Sequence, residues 1–252
     1  MRMKALSVVS LMLWAWPLAA QNGQAEPIEV PLRVEDGRLI VTASSADGRE
    51  YDFVLGLGTT LLTESGSARL GRDVSALTLS GVPVQTEGSV NVPDEYLPGS
   101  SAVGVLGGST LNGYDILIDA PNGRLLLKQI GRGVRWDGVA LSGPTPVQVF
   151  HDVLLRADVE FGGKLVGGLI DLTKPAFEVS APLGFAISAG TVGSFRMGYG
   201  GWSDQPAQVV DSPAFARWDP EGIGFAIIGA SITYDCAVAI SWYHAELRTC
   251  LR

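Results

Sequence analysis

Phe53-Val54-Leu55-Gly56-Leu57-Gly58-Thr59-Thr60 is an apolar run that ends in a glycine-bounded turn, and Leu169-Ile170-Asp171-Leu172-Thr173 has the same form 115 positions later. Each is followed by a second apolar pair and a glycine: Val105-Leu106-Gly107 after the first, Ile227-Ile228-Gly229 after the second. The separations are close, 51 residues from Gly56 to Gly107 and 58 from Asp171 to Gly229. Other anchors recur in the same order. A shift of 115 carries Gly48-Arg49 onto Gly163-Lys164, and one of 113 to 114 carries Glu64 and Leu70-Gly71 onto Glu178 and Leu183-Gly184. A shift of 122 carries Leu106-Gly107 onto Ile228-Gly229, Ser109 onto Ser231, Ile118 onto Ile240 and Leu125 onto Leu247. A repeat of this length is too long for a solenoid unit and reads as two similar lobes.

Strands dominate the spacing around these anchors. Ile28, Val30, Leu32 and Val34 alternate with Glu29, Arg33 and Glu35 before the turn pair Asp36-Gly37, which marks a strand entering a hairpin. Leu39–Ala43, Tyr51–Leu55, Ala76–Leu79, Val82–Val84, Ile116–Ile118 and Leu125–Leu127 are short apolar segments bounded by turn residues, and Asn122-Gly123 is a strong hairpin signal. One short helix is expected at Thr63–Leu70, closed by Gly71, with Glu64 and Glu178 opening or capping the small helices. Residues 28–130 then form the first lobe and 147–252 the second. Between them 131–146 is a linker marked by Gly143-Pro144-Thr145-Pro146.

That order of hairpin, apolar pair with tight turn, small helix and apolar-apolar-Gly resembles the pepsin and retropepsin families of aspartic peptidases, over Ile28 to about Leu251. The resemblance implies an all-β, bilobal pepsin-like fold of two retropepsin-like barrels with a central cleft. Its floor would be the loops holding Gly56, Leu57, Gly58, Thr59 and Thr60 on one side and Asp171, Leu172 and Thr173 on the other. In those families each lobe supplies Asp-Thr/Ser-Gly, and the two carboxylates share a proton to activate a water and protonate the substrate carbonyl.

Here that unit is degenerate. Asp171 is the one surviving candidate catalytic residue; Gly56, with no side chain, stands where its partner would be. Leu57 and Leu172 replace the hydroxyl residues that would pin the opposite loop, and Thr173 puts a side chain where a backbone amide would approach the carboxylate. A lone carboxylate lacks the like charge that splits the pair's protonation and the second group that completes the relay. Asp52, Asp115 and Asp119 read as turn or strand-edge acids, not as replacements. The expected function is that of a pseudo-peptidase binding an extended peptide or protein segment in the cleft. The alternative is an active aspartic endopeptidase in which Asp171 works with an unrecognised acid or one supplied by a homodimer.

Composition excludes several other classes. Hydrophobic residues make up 46% and charged residues 17% of the 252 residues, which is a folded, core-forming chain. Arg2 and Lys4 ahead of the apolar run Ala5–Ala20, closing on Leu18-Ala19-Ala20, have the layout of a secretory signal over residues 1–20. Removing it takes the formal net charge from −8 to −10, which disfavours nucleic acid and anionic membrane as partners. A periplasmic or secreted location follows, with an envelope protein as a further candidate partner and no stable membrane insertion of the mature chain. In that compartment Cys236 and Cys250 are either a disulfide or two buried thiols: an odd-length loop centred on Tyr243 brings them face to face, whereas an even one misplaces them. His151 and His244 lack metal-ligand spacing, so no metal and no cofactor are expected. Phe195–Trp202, rich in glycine, is either an ordinary turn or a flap over the cleft.

Overall fold

The computed structural model describes residues 26–71, 76–86, 89–130, 136–151 and 153–251. The expected signal, 1–20, and the first part of the linker, 131–135, lie outside them. The chain is mostly β, in two large sheets, and one continuous apolar core runs from Val30 to Leu247.

The two halves follow one plan. In the first, Glu50–Leu55 runs parallel to Gly104–Leu106, which is antiparallel to Leu61–Thr63, itself parallel to Val90–Val92. In the second, Lys164–Ile170 runs parallel to Phe225–Ile228, which is antiparallel to Phe177–Val179, itself parallel to Gln205–Val209. Each time, two successive strands leave a place between them that a much later strand fills. The loop joining the two must therefore pass over that later strand's end. The backbone closes it alike in both halves: Gly56 N donates to Leu106 O at 2.9 Å and Asp171 N to Ile228 O at 3.0 Å.

A helical turn and a hairpin follow in each half: Gly108–Leu111 before Tyr114–Asp119 and Arg124–Gln129, and Ala230–Thr233 before Val238–Ser241 and Glu246–Thr249. The two hairpins pair with each other, Val238 opposite Ile118, Ala239 opposite Leu117 and Ile240 opposite Ile116. The shift of 122 maps this register onto itself, since it carries Ile116 to Val238 and Ile118 to Ile240. A local two-fold axis thus passes between Leu117 and Ala239. The pairing covers two edges that would otherwise expose unpaired N–H and C=O groups.

Sheet and sequence boundaries therefore differ, because the last two strands extend the first sheet. The linker is tied down as well: Thr145 and Pro146 pair with Leu247 and Glu246, Leu141 bridges Cys250, and Trp136 is buried. The helix forms as expected, Glu64–Leu70, with the Thr63 side chain accepting from Gly66 N at 3.0 Å. Glu178 begins no helix. It lies within Phe177–Val179 and takes Lys174 Nζ at 3.1 Å; the second short helix is a 3-10 turn, Ala181–Ala186.

Cys236 and Cys250 form a disulfide with Cα atoms 5.5 Å apart, although the loop has the even length that regular pairing would forbid. Ser241 lies opposite Glu246, leaving four residues, 242–245, between the strands. The ladder ends at Val238; Cys250 N still donates to Ala237 O at 3.0 Å in the same register, and Cys236 lies one residue further out, in a bend outside the strand where alternation no longer fixes its side chain, so its sulfur reaches that of Cys250.

The halves also grip each other reciprocally. A Cβ built on Gly37 would lie 2.8 Å from Pro175 Cβ, while one on Gly58 would lie 3.4 Å from Leu154 Cδ2. The Tyr234 hydroxyl donates to Gly37 O and approaches Pro175 O at 3.2 Å, tying the first hairpin to the second half. Burial pushes the Tyr234 phenol up to about 12, against a smaller opposing effect of Arg38. Because the folded value lies above the unfolded one, the contribution is fully present below about pH 10 and is lost as pH rises through about 12. It amounts to roughly 2–3 kcal/mol at most. Urea unfolding of Tyr234→Phe should show a small loss near neutrality, about 0.5–1.5 kcal/mol, and a shallower decline than wild type between those pH values. Parallel curves would exclude the tie.

Candidate functional site

The loops after Leu55 and Ile170 face each other. A Cβ built on Gly56 would sit 3.2 Å from Thr173 Cγ2, so the missing side chain of one loop is opposite the threonine of the other. It would also sit 2.6 Å from Val105 Cγ1, so Val105 already fills the space that a carboxylate on Gly56 would enter.

Above this junction opens a cavity of about 240 Å³. Its walls are aliphatic: Leu61, Val105, Leu154, Leu169 and Ile170. Its polar groups are those of Thr59, Tyr96, Asp171 and Thr173, with Gly58 at the rim. Asp171 is the only charged residue of the lining. Leu57 and Leu172 are each 1% exposed and belong to the core, and Thr60 is buried. These three sequence-derived floor residues support the loops from below instead of lining the cavity. Thr60 does so by hydrogen bonds, pairing its hydroxyl with Ser109 Oγ at 2.7 Å and accepting from Gly107 N at 3.2 Å.

The substitution at Thr173 does not displace the amide. Thr173 N donates to Asp171 Oδ1 at 3.0 Å and Thr173 Oγ1 donates to the same oxygen at 2.6 Å. Both bonds fall on Oδ1, and among the described residues Oδ2 accepts none. Lys174, the nearest cation in sequence, is turned to Glu178.

Tyr96 is the residue that sequence reasoning missed. It ends a 3-10 turn, Asp94–Tyr96, packed after the Val90–Val92 strand, and a lone tyrosine between two prolines carried no periodic signal. Partial desolvation against the cavity, with 47% of the residue still exposed, and then the Asp171 charge hold its phenol above the usual tyrosine range, partly offset by a hydrogen bond with the Thr173 side chain. Removing the charge in Asp171→Asn should therefore shift Tyr96 ionisation to lower pH. Ultraviolet difference titration against Tyr96→Phe reads that shift; an unmoved curve would separate the two residues.

The other acids are occupied or absent from this cavity. Asp52 takes Arg33 and Thr42 Oγ1, the latter at 2.8 Å, and Asp119 takes Arg124 Nε at 2.8 Å. Asp115, read from sequence as a strand-edge polar residue, is 0% exposed and stands opposite Lys128 in the register, because the linker covers that face of the sheet. Phe195–Met197 and Gly200–Trp202 form a hairpin whose Phe195, Met197 and Trp202 are buried, packed on the second sheet beside Thr145; it does not line the Asp171 cavity. His151 and His244 are exposed, and no cluster of metal-ligating side chains occurs among the described residues.

No known protein family matches the chain, and no curated protein is significantly similar to it. Among the described residues, no helix is long and apolar enough to cross a membrane.

Proposed function

We propose that the chain is an exported, two-lobed protein of the pepsin and retropepsin type whose acid pair has been lost, and that it holds an extended peptide or protein segment in its cleft without cleaving it. The observation that carries this reading is the pairing of Gly56 with Thr173 beneath a cavity whose sole charged residue is Asp171. Hydrolysis by a shared-proton mechanism needs a second carboxyl within hydrogen-bond reach of the same water. Val105 occupies the place where that carboxyl would enter.

Peptide binding is supported by the surroundings of the cavity. Val90–Val92 is one of the edge strands of the first sheet and pairs on one side with Leu61–Thr63, whose Leu61 lines the cavity. Its outer edge offers backbone groups to an added strand, and the aliphatic walls offer a pocket for one of its side chains. The repeated half-chain plan and the symmetric hairpin pairing support the two-lobed assignment. The disulfide supports an oxidising, extracytoplasmic location, with an envelope protein as a source of the bound segment.

Calorimetry of the purified mature chain against a library of blocked extended peptides tests the reading. Saturable binding that is weakened by a bulky substitution at Thr59 is expected. Absence of binding across the library would overturn it.

A further inference from the structure

We propose that the Asp171 cavity is a subsite for a single basic side chain of the bound segment, and that it selects lysine over arginine. The inference rests on the peptide-binding reading above and adds its specificity.

Size comes first. At about 240 Å³ the cavity is smaller than the roughly 300–1,000 Å³ that encloses a drug-sized ligand, so it admits one side chain of a longer chain. Chemistry narrows the choice. Five aliphatic residues, Leu61, Val105, Leu154, Leu169 and Ile170, form the walls, and a carboxylate with one free oxygen stands among them. A purely apolar side chain would match the walls but would strip water from Asp171 and leave its charge uncompensated, which is costly. A lysine meets both demands: its four-carbon stem lies along the apolar walls while its ammonium reaches the carboxylate. The acidic balance of the chain, −8 formally, favours a cationic partner further.

The hydrogen bonds decide between the two basic residues. Arginine gains its advantage over lysine by a two-pronged contact that needs both carboxylate oxygens. Thr173 already donates twice to Oδ1, leaving Oδ2 as the open acceptor. A point-charge ammonium makes full use of one oxygen; a guanidinium fork does not.

The test uses blocked octapeptides identical except at one central position, which carries lysine, arginine, norleucine or glutamate, titrated into the full mature chain. The lysine peptide should bind about tenfold tighter than norleucine and several-fold tighter than arginine, with glutamate weakest. Asp171→Asn should bring lysine and norleucine to within about twofold. The wild-type ranking stands independently of how well that variant folds. N-acetyl-lysine amide should bind far more weakly than the octapeptide; equal affinity would assign the cavity to a free amine and overturn the peptide source. Peptides that all bind with no preference for lysine would overturn the subsite and leave the peptide-binding reading intact. If none binds, both fail.

Discussion

Alanine at Gly107 is expected to destabilise the protein by about 3 kcal/mol, the upper part of the usual range for forcing atoms into a packed site. A Cβ there would lie 2.1 Å from Gly58 O and 2.6 Å from Thr59 C, and both are backbone atoms of the loop that passes over the strand end. Neither can rotate away as a side chain would. Gly229 occupies the matching place, where a Cβ would lie 2.4 Å from Ala176 O and 2.6 Å from Lys174 O. Both glycines have ordinary negative φ, −109° and −83°, so the demand is for closeness and not for a left-handed backbone. Urea unfolding followed by tryptophan fluorescence should give similar losses for Gly107→Ala and Gly229→Ala. A large loss at one and less than about 0.5 kcal/mol at the other, the range of an ordinary surface change, would break the equivalence of the two loops.

Removing the disulfide should have a comparable effect. Cys236 and Cys250 close a loop of about 15 residues, for which chain entropy alone implies about 3 kcal/mol. The bond also anchors Cys250, whose backbone bridges Leu141 of the linker segment, so its loss should loosen the last strand and the linker together. For a chain of this size the change corresponds to a fall in Tm of roughly 6–12 °C. Thermal melting of the Cys236→Ser, Cys250→Ser double variant, compared with wild type under reducing and non-reducing conditions, reads it directly. A variant melting with the oxidised wild type would show that the strand pairing is sufficient without the bond.

What could be read from the sequence was whatever rests on local periodicity. Alternation at Ile28–Val34 and the segment Thr63–Leu70 closed by Gly71 translate directly into the first strand and the first helix, because both depend on close neighbours in the chain. The shift of 122 was visible as five matched positions, and its meaning emerged only with the register, where it maps the hairpin pairing onto itself. Glu178 was misplaced because the parallel neighbour Gln205–Val209 draws its segment into a strand, a long-range pairing that no local signal carries. The even loop at 242–245 was compatible with the disulfide for a similar reason: Cys236 lies in a bend before the strand, beyond the paired residues, where alternation no longer applies.

The candidate site divides in the same way. Asp171 and the glycine facing it could be located from motif spacing. Which loop residues point down could not, since Leu57, Thr60 and Leu172 differ from Thr59 and Thr173 only in the direction the turn gives them. Tyr96 reaches the cavity from a turn beyond the Val90–Val92 strand, and its contact with Thr173 joins positions 77 apart in the chain. The fully buried Asp115 was equally hidden, because its burial depends on the linker lying across the sheet.

Cleavage of denatured casein by the purified protein, at mildly acidic pH and over a concentration series high enough to populate a dimer, addresses the proposed loss of the acid pair most directly. Hydrolysis at the level of a buffer blank is expected at every concentration, with wild type and Asp171→Asn indistinguishable. Pepstatin-sensitive cleavage that vanishes in Asp171→Asn would contradict it, and would mean that a second carboxyl reaches the water beside Asp171 despite Gly56 and Val105.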